Sequence, residues 1–250
     1  MSYKVAMLIP TTTRERDWKS ITDTDLYKIN IKSFLLSYCP EHSYTYYLGI
    51  DDDDPIFSQQ AEKEKLQRFV NIMKNVSLQF VSMKGIKKGH LTTMWNRLFT
   101  EAYHDGCDYF YQCGDDILFE TKGWTKDCIN MLLKHNNIGL TGPRNNNSRI
   151  LTQSFVSRKH MEIFGWYFPE EILNWTDDDW YNYVYQPNYF YPLDNHFCSN
   201  DGGEPRYHIN NNSHFHDNFQ MNLQKLRYKS YQLAQKHKIL IKNYIEKTGS

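Results

Sequence analysis

The residues of this chain best suited to chemistry are the adjacent carboxylates Asp115 and Asp116, which follow Tyr109-Phe110-Tyr111-Gln112-Cys113-Gly114 and precede Ile117-Leu118-Phe119. Asp is seldom fully buried without a partner, and two side by side between apolar runs destabilise each other unless a cation joins them. The pattern reads as a buried strand whose end delivers acids to a site, and a divalent metal carrying phosphate is the fitting guest. A hairpin turn capped by the two acids is the other reading of the segment.

A second acidic cluster, Asp177-Asp178-Asp179, lies between Trp175-Thr176 and Trp180. Asp179 and Asp178 are candidates for general acid–base work, which needs a carboxylate within hydrogen-bond reach of the proton that moves. Helix starts also favour acids, but three in a row exceed what capping needs. Trp166, Tyr167, Trp175 and Trp180 nearby offer flat faces for a ligand.

Positioning these groups requires elements that end together. Val5 to Ile9 is a continuous apolar run stopped by Pro10, as expected of a central strand covered on both faces. A helix through Leu26, Ile29, Phe34 and Leu35 follows, then a strand from Tyr44 to Ile50 that stops at Asp51-Asp52-Asp53-Asp54. Leu66, Phe69, Val70 and Met73 give a helix after Ser58, and Leu78 to Met83 a third strand. Leu91, Trp95, Leu98, Phe99, Ala102 and Tyr103 form an amphipathic stripe. Thr125 to His135 reads as helix, Ile138 to Thr141 as strand, Gly142 to Asn147 as loop, and Arg158 to Phe164 as a short helix. Gln186 to Asp217 shows little periodicity and reads as a wrap over the site; Met221 to Lys247 reads as a final helix. The alternation predicts an α/β domain with a mostly parallel sheet and helices on both faces.

In such sheets ligands bind beyond the carboxyl ends of the strands. Those ends carry Pro10-Thr11-Thr12-Thr13-Arg14, Asp51 and Gly114-Asp115-Asp116, a set of hydroxyls, a guanidinium and carboxylates suited to a nucleotide. Asp52, Asp53 and Asp54 read as a solvated loop. Lys87-Lys88-Gly89-His90 precedes the third helix, where Lys88 and helix donors could meet a diphosphate. Neither G-x-x-x-x-G-K-[ST] nor G-x-G-x-x-G occurs, which leaves a metal as the main phosphate binder.

Composition narrows the class. The chain has 250 residues, 40% of them hydrophobic and 16% aromatic, enough for one sizeable domain. Net charge is zero, against a protein that chiefly neutralises a nucleic-acid backbone. Residues 221–250 hold seven Lys or Arg and one Glu, a net +6 that leaves −6 for residues 1–220. No run approaches the roughly 20 apolar residues of a membrane span, and no signal peptide is evident. The expectation is a soluble, cytoplasmic chain with reduced thiols at Cys39, Cys107, Cys113, Cys128 and Cys198. Its Asn-x-Ser/Thr sites at Asn75, Asn146, Asn174 and Asn211 would then be incidental.

The ordered set resembles the nucleotide-sugar glycosyltransferases of the GT-A fold: a strand ending in Ile9-Pro10-Thr11-Thr12-Thr13-Arg14, an Asp after the second strand, Gly114-Asp115-Asp116 in the place of their D-x-D motif, and then Thr152 to Gly165 ahead of Trp175 to Trp180. More closely, it looks like the small glycosyltransferases encoded by large DNA viruses of algae and amoebae, and the resemblance covers about residues 4 to 216. The resemblance implies a Rossmann-like GT-A domain over residues 1–217, a basic C-terminal helical extension over 218–250 packed on it or projecting, and a host-cytoplasmic location if viral. It implies transfer of a hexose or deoxyhexose from a nucleoside-diphosphate sugar, UDP-glucose or UDP-rhamnose being the candidates, to a glycan or glycoprotein hydroxyl. Inversion would follow, with Asp179 or Asp178 as the base that takes the acceptor hydroxyl's proton and Trp166, Tyr167, Trp175 and Trp180 as flat faces for the acceptor sugar. Asp116 would hold Mn²⁺ or Mg²⁺, Asp115 would touch ribose, sugar or metal, and His214, ahead of His208 and His216, would add a late ligand. Gly114 departs from D-x-D.

Two other readings use the same residues. An aromatic strand, Gly-Asp-Asp and an apolar strand also make the metal hairpin of viral RNA-dependent polymerases, although a palm would need a basic template channel. A non-catalytic nucleotide-sugar binder is the second. The basic C-terminal helix is expected to pack on the core, with contact to an anionic membrane as the alternative.

Overall fold

The computed structural model describes residues 1–202 and 219–249, the side chains from 222 onward in the second span. Strand β1 (Lys4–Thr11) lies fully buried from Val5 onward, as its continuous apolar run requires. It pairs in parallel with β2 (Ser43–Ile50) on one side and β4 (Tyr109–Gln112) on the other, while β3 (Val76–Ser82) adds in parallel outside β2. Thr11 sits opposite Ile50 and Leu8 opposite Gln112, so the polar segments after all three strands emerge at one edge.

The other half of the sheet is mixed. β7 (Ser154–Ser157) runs antiparallel to β4 and to β6 (Leu140–Arg144), and β8 (Phe190–Asn200) runs parallel to β6. At the far edge β5 (Ile117–Phe119) pairs antiparallel with β8, giving the order β3-β2-β1-β4-β7-β6-β8-β5. The mixed α/β sheet with covering helices is the expected class. Gly114-Asp115-Asp116 is not a hairpin, however, because β4 and β5 lie four strands apart. That removes both the capped-turn reading and the polymerase-type hairpin.

Two further expectations change. β8 runs through the stretch read as a structureless wrap, and Gly142 to Arg144 belongs to β6 rather than to a loop. The register of this pair shifts between Pro143, opposite Leu193, and Arg144, opposite Phe197, so no steady alternation marks the strand. The first helix is also irregular: Leu26–Ile31 is π-helical and passes into α1 (Lys32–Ser37). A π turn carries an extra residue, which rotates the buried face and turns polar Asn30 inward, fully buried.

Helices α2 (Gln60–Val70), α3 (Leu91–His104), α4 (Trp124–Lys134), α5 (Lys159–Phe164) and α6 (Asp177–Tyr185) cover the sheet. Apolar side chains form two clusters; one gathers α1, α2 and α4, the other α3, α5, α6 and the C-terminal helix α7 (Phe219–Thr248). α7 packs on the domain rather than projecting, with Ala234 and Ile241 buried in the second cluster. Its Lys225, Lys236 and Lys242 face outward. No described helix is long and apolar enough to cross a membrane, and all five cysteines are free and buried. Replacing Ile241 with Ala should cost about 2–5 kcal/mol, read as a lower urea midpoint; an unchanged midpoint would show that this helix contributes nothing to the core.

Candidate functional site

A cavity of about 270 Å³ opens at the carboxyl edge of the sheet. Pro10 ends its β1 wall and Gln112 its β4 wall; Gly114, Asp115 and Asp116 form the floor, Leu91 and Trp95 of α3 one side, and Asn174 to Asp178 the side opposite the acidic turn. Ile117, Thr152, Gln153 and Asn200 complete it. The two acidic clusters, some sixty residues apart in sequence, therefore face a common space.

The first cluster is built from below. Asp115 is 3% exposed and accepts a 2.6 Å hydrogen bond from the Thr11 hydroxyl, which ties the end of β1 to the turn after β4. Asn30 donates to the Gly114 carbonyl at 3.1 Å and accepts from Tyr46 at 3.2 Å, so the π-helical turn braces the motif from beneath. Asp116 is held by space. A Cβ on Gly114 would collide with its carboxylate, and one on Gly202 would collide with the same side chain from the other side. The peptide N–H of Asp201 donates to the Asp116 carbonyl at 3.1 Å, closing the sandwich.

This cradle explains the departure from D-x-D in steric terms: the position of the missing first carboxylate is taken by the second. It also fits a divalent metal. Among the described residues no three His, Cys, Asp or Glu side chains cluster as a ligand set, but Mg²⁺ and Mn²⁺ are commonly bound through one or two carboxylates plus substrate phosphates. His214, the late ligand implied by the resemblance, lies outside the described residues, as do His208 and His216.

The nucleotide candidates divide into two groups. Pro10, Thr11 and Asp115 belong to the cavity wall and its support. Thr12, Thr13, Arg14, Asp51 and Lys88 gather in a neighbouring polar cluster around the β2 end. There Arg14 contacts Asp53 and lies 4.0 Å from Asp51, while Lys88 lies 3.8 Å from Asp53. Burial pushes the Asp51 pKa up, with Arg14 opposing. Asp54, read as a solvated acid, is instead fully buried. It accepts from the Thr12 and Thr13 hydroxyls and from the peptide N–H groups of Thr13, Ile56 and Phe57. It shapes the Thr12–Thr13 loop and is closed to ligand.

The second cluster separates by direction. Asp177 and Asp178 line the cavity. Asp179, the other candidate base, does not: it is 2% exposed and paired with Arg149 and Arg227. Burial, reinforced by the Asp179 carboxylate, pushes Asp178 up to about 7, and burial pushes Asp177 well above the usual carboxylate range.

Of the four acceptor aromatics expected from the sequence, Trp175 lines the cavity and the others do not. Tyr167 and Trp180 are buried; Tyr167 shares a 2.5 Å hydrogen bond with Ser154, and the Trp180 indole N–H donates to His237 on α7 at 3.2 Å. Trp166 packs against Phe164, Trp180 and His237. Tyr167 is packed among α3, α5 and β7, and Trp166 and Trp180 at the seam with α7, so Tyr167 and Trp180 are corrected from acceptor platform to core, and Trp166, half-buried, packs against that core away from the cavity. The sequence reading missed Asn30, Gly202, Arg149 and Arg227. A polar residue on an apolar helix face marks Asn30, and the adjacent pair Gly202-Gly203 in the sequence marks Gly202. The two arginines carry no local signal.

No protein-family model matches the chain, and no curated protein matches its sequence. Solved structures do. S. aureus TarS 1–349 aligns with a TM-score of 0.52 at 13% identity over 80% of this chain and 60% of that one. The same protein in complex with UDP-GlcNAc gives 0.51 at 15% identity, over 82% and 60%. The mannosyltransferase PcManGT from Pyrobaculum calidifontis, in complex with GDP-Man and Mn²⁺, gives 0.53 at 11% identity over all of this chain and 77% of that one. The chain thus spans about three fifths of the TarS structures it matches. The fold is a GT-A-like glycosyltransferase fold.

Gly114→Ala and Gly202→Ala should each displace the Asp116 carboxylate. The expected result is a folded chain whose melting temperature no longer rises when Mn²⁺ and UDP are added together, where wild type shows a rise. An undiminished rise in both variants would remove the cradle from metal binding.

Proposed function

We propose that the chain is a metal-dependent glycosyltransferase that moves a hexose or deoxyhexose from a UDP-linked donor to a hydroxyl of a glycan or glycoprotein, with inversion at the anomeric carbon. The observation that carries this reading is the placement of Asp115 and Asp116 and of Asp177 and Asp178 around one cavity of about 270 Å³. Support also comes from the fold shared with proteins solved with UDP-GlcNAc or with GDP-Man and Mn²⁺.

Each group has a task set by its surroundings. Asp116, between Gly114 and Gly202, is the proposed metal ligand, and Asp115, fixed by Thr11, is the proposed ribose, sugar or metal contact. A bound Mn²⁺ or Mg²⁺ would neutralise charge gathering on the leaving diphosphate. Arg14 and Lys88 would add positive charge on the nucleotide side, at the polar cluster beside Asp51. Asp178 is the proposed base. One of its oxygens accepts from the Asp179 peptide N–H at 2.8 Å, and the residue lines the cavity, where it would take the acceptor hydroxyl's proton as that oxygen attacks. Trp175 is the aromatic surface available to the acceptor.

A panel of nucleotide sugars with Mn²⁺, read by thermal shift and by release of nucleoside diphosphate, tests the activity. Asp178→Asn should retain the donor-induced shift and lose transfer by roughly 10²- to 10⁴-fold; wild-type turnover in this variant would remove Asp178 from the base role. The pH dependence has a definite sign. The base works only when ionised, and its pKa is raised to about 7. Transfer should therefore fall about tenfold per pH unit below that value and level off above it. A limb near pH 4, typical of an ordinary carboxylate, would contradict the assignment.

A further inference from the structure

The turn that carries the second acidic cluster is held from outside its own helix. Thr176, at its start, has a φ of 74°, a left-handed conformation that is strained for a β-branched residue and persists only where neighbours impose it. α7 supplies those neighbours. Ser230 and Thr176, 1% and 4% exposed, share a 2.7 Å hydrogen bond. One turn earlier in α7, the Arg227 Nε lies 3.5 Å from Asp179 Oδ2; two turns later, His237 accepts the Trp180 indole N–H. From the opposite side Arg149, between β6 and β7, binds Asp179 Oδ1 and the Tyr183 hydroxyl. Asp179 is pinned between guanidiniums from two segments far apart in sequence.

That pinning ends on the proposed base. The Asp179 peptide N–H donates to Asp178 Oδ1 at 2.8 Å, so the place of Asp179 sets the direction of Asp178. Asn182 completes the frame, donating to the Asp178 carbonyl at 2.8 Å and to the Leu151 carbonyl at 2.7 Å.

We propose that Arg227, together with Arg149, is a positioning residue for Asp178, and that the C-terminal helix is a working part of the active site rather than an appendage. The inference rests on the reading of Asp178 as base. The two guanidiniums fix Asp179 from outside, keep one Asp178 oxygen on the Asp179 N–H, and leave the other for the acceptor hydroxyl. They also act on its charge. Asp178 shares its surroundings with Asp177 and Asp179 on α6, Tyr181 and Tyr183 on the same helix, Arg149 and Arg227, and Asp115 and Asp116 from the cavity floor. Arg149 and Arg227 are the cations in that set. Each opposes the upward push of burial and of Asp179, so losing either moves the base further from its ionised form.

The test uses the full-length chain. A wild-type protein that transfers no sugar from any nucleotide sugar removes the role of Asp178 and this inference with it. With wild-type transfer measured, Arg227→Met should lower kcat about tenfold or more and leave the donor KM unchanged, since Asp115 and Asp116 are untouched. The acid limb of its pH profile should move up by about half a pH unit or more. Arg227→Lys should restore most of both. If Arg227→Met does not fold, Arg149→Met, at a side chain 40% exposed, must give the same loss and the same upward shift. Either folded variant with wild-type kcat and an unmoved acid limb overturns the proposal, even when its melting temperature falls, because that combination describes a merely structural residue. Lys236→Ala, on the outward face of α7, serves as the control with wild-type kinetics.

Discussion

Carboxylates gathered at the carboxyl edge of a parallel sheet must each be kept in place without water, and the rest of the site follows from how that is done. An uncompensated buried charge costs several kcal/mol. Asp54 is compensated by five donors from two loops, Asp115 by the Thr11 hydroxyl, and Asp179 by two guanidiniums. Asp54 and Asp179 are supporting acids, enclosed by the protein. Asp115, Asp116, Asp177 and Asp178 line the cavity: Asp115 is tied to Thr11, Asp116 lies between two glycines, and Asp178 accepts from a peptide N–H. The distinction between enclosed and cavity-lining acids, rather than the number of acids, separates scaffold from site.

The parallel half of the sheet was legible because its central strands β1, β2 and β4 are short runs rich in apolar and aromatic residues, largely buried and followed by polar clusters. β1, β2 and β3 and the helices between them fall where pattern places them. The mixed half was not. β8 carries Pro192 and a register shift against β6, so its side chains follow no period of two, and its partner β5 is a three-residue strand. The site showed the same division. Asp115, Asp116, Asp177 and Asp178 stand out as carboxylates beside apolar residues, whereas the partners that decide their roles come from distant segments. Nothing near Asp179 in sequence signals that Arg149 and Arg227 will close on it, and nothing in Trp180 distinguishes a sugar platform from a core indole. Direction around a helix is set by what packs against it, and α7 sets it here.

Gly114 shows how a pattern can be read too literally. Against a D-x-D template it counts as a lost ligand. In the structure it is the clearance that lets Asp116 lie where it does, with Gly202 giving the same clearance from β8's end. Two glycines and one acid are thus a single structural unit drawn from two strands.

The pairing of β5 with β8 has a consequence for the order of folding. β3, β2, β1 and β4 associate within the first 112 residues, each neighbour separated by one helical crossover or two. Ile117 to Phe119 must wait for Phe190 to Asn200, a loop of about seventy residues whose closure entropy is met only once β6 and β7 have formed. During synthesis the chain therefore leaves the ribosome with a nearly finished parallel sheet and an unwalled acidic turn. The space around Asp116, bounded by Gly114 and Gly202, is complete only after β8 has docked.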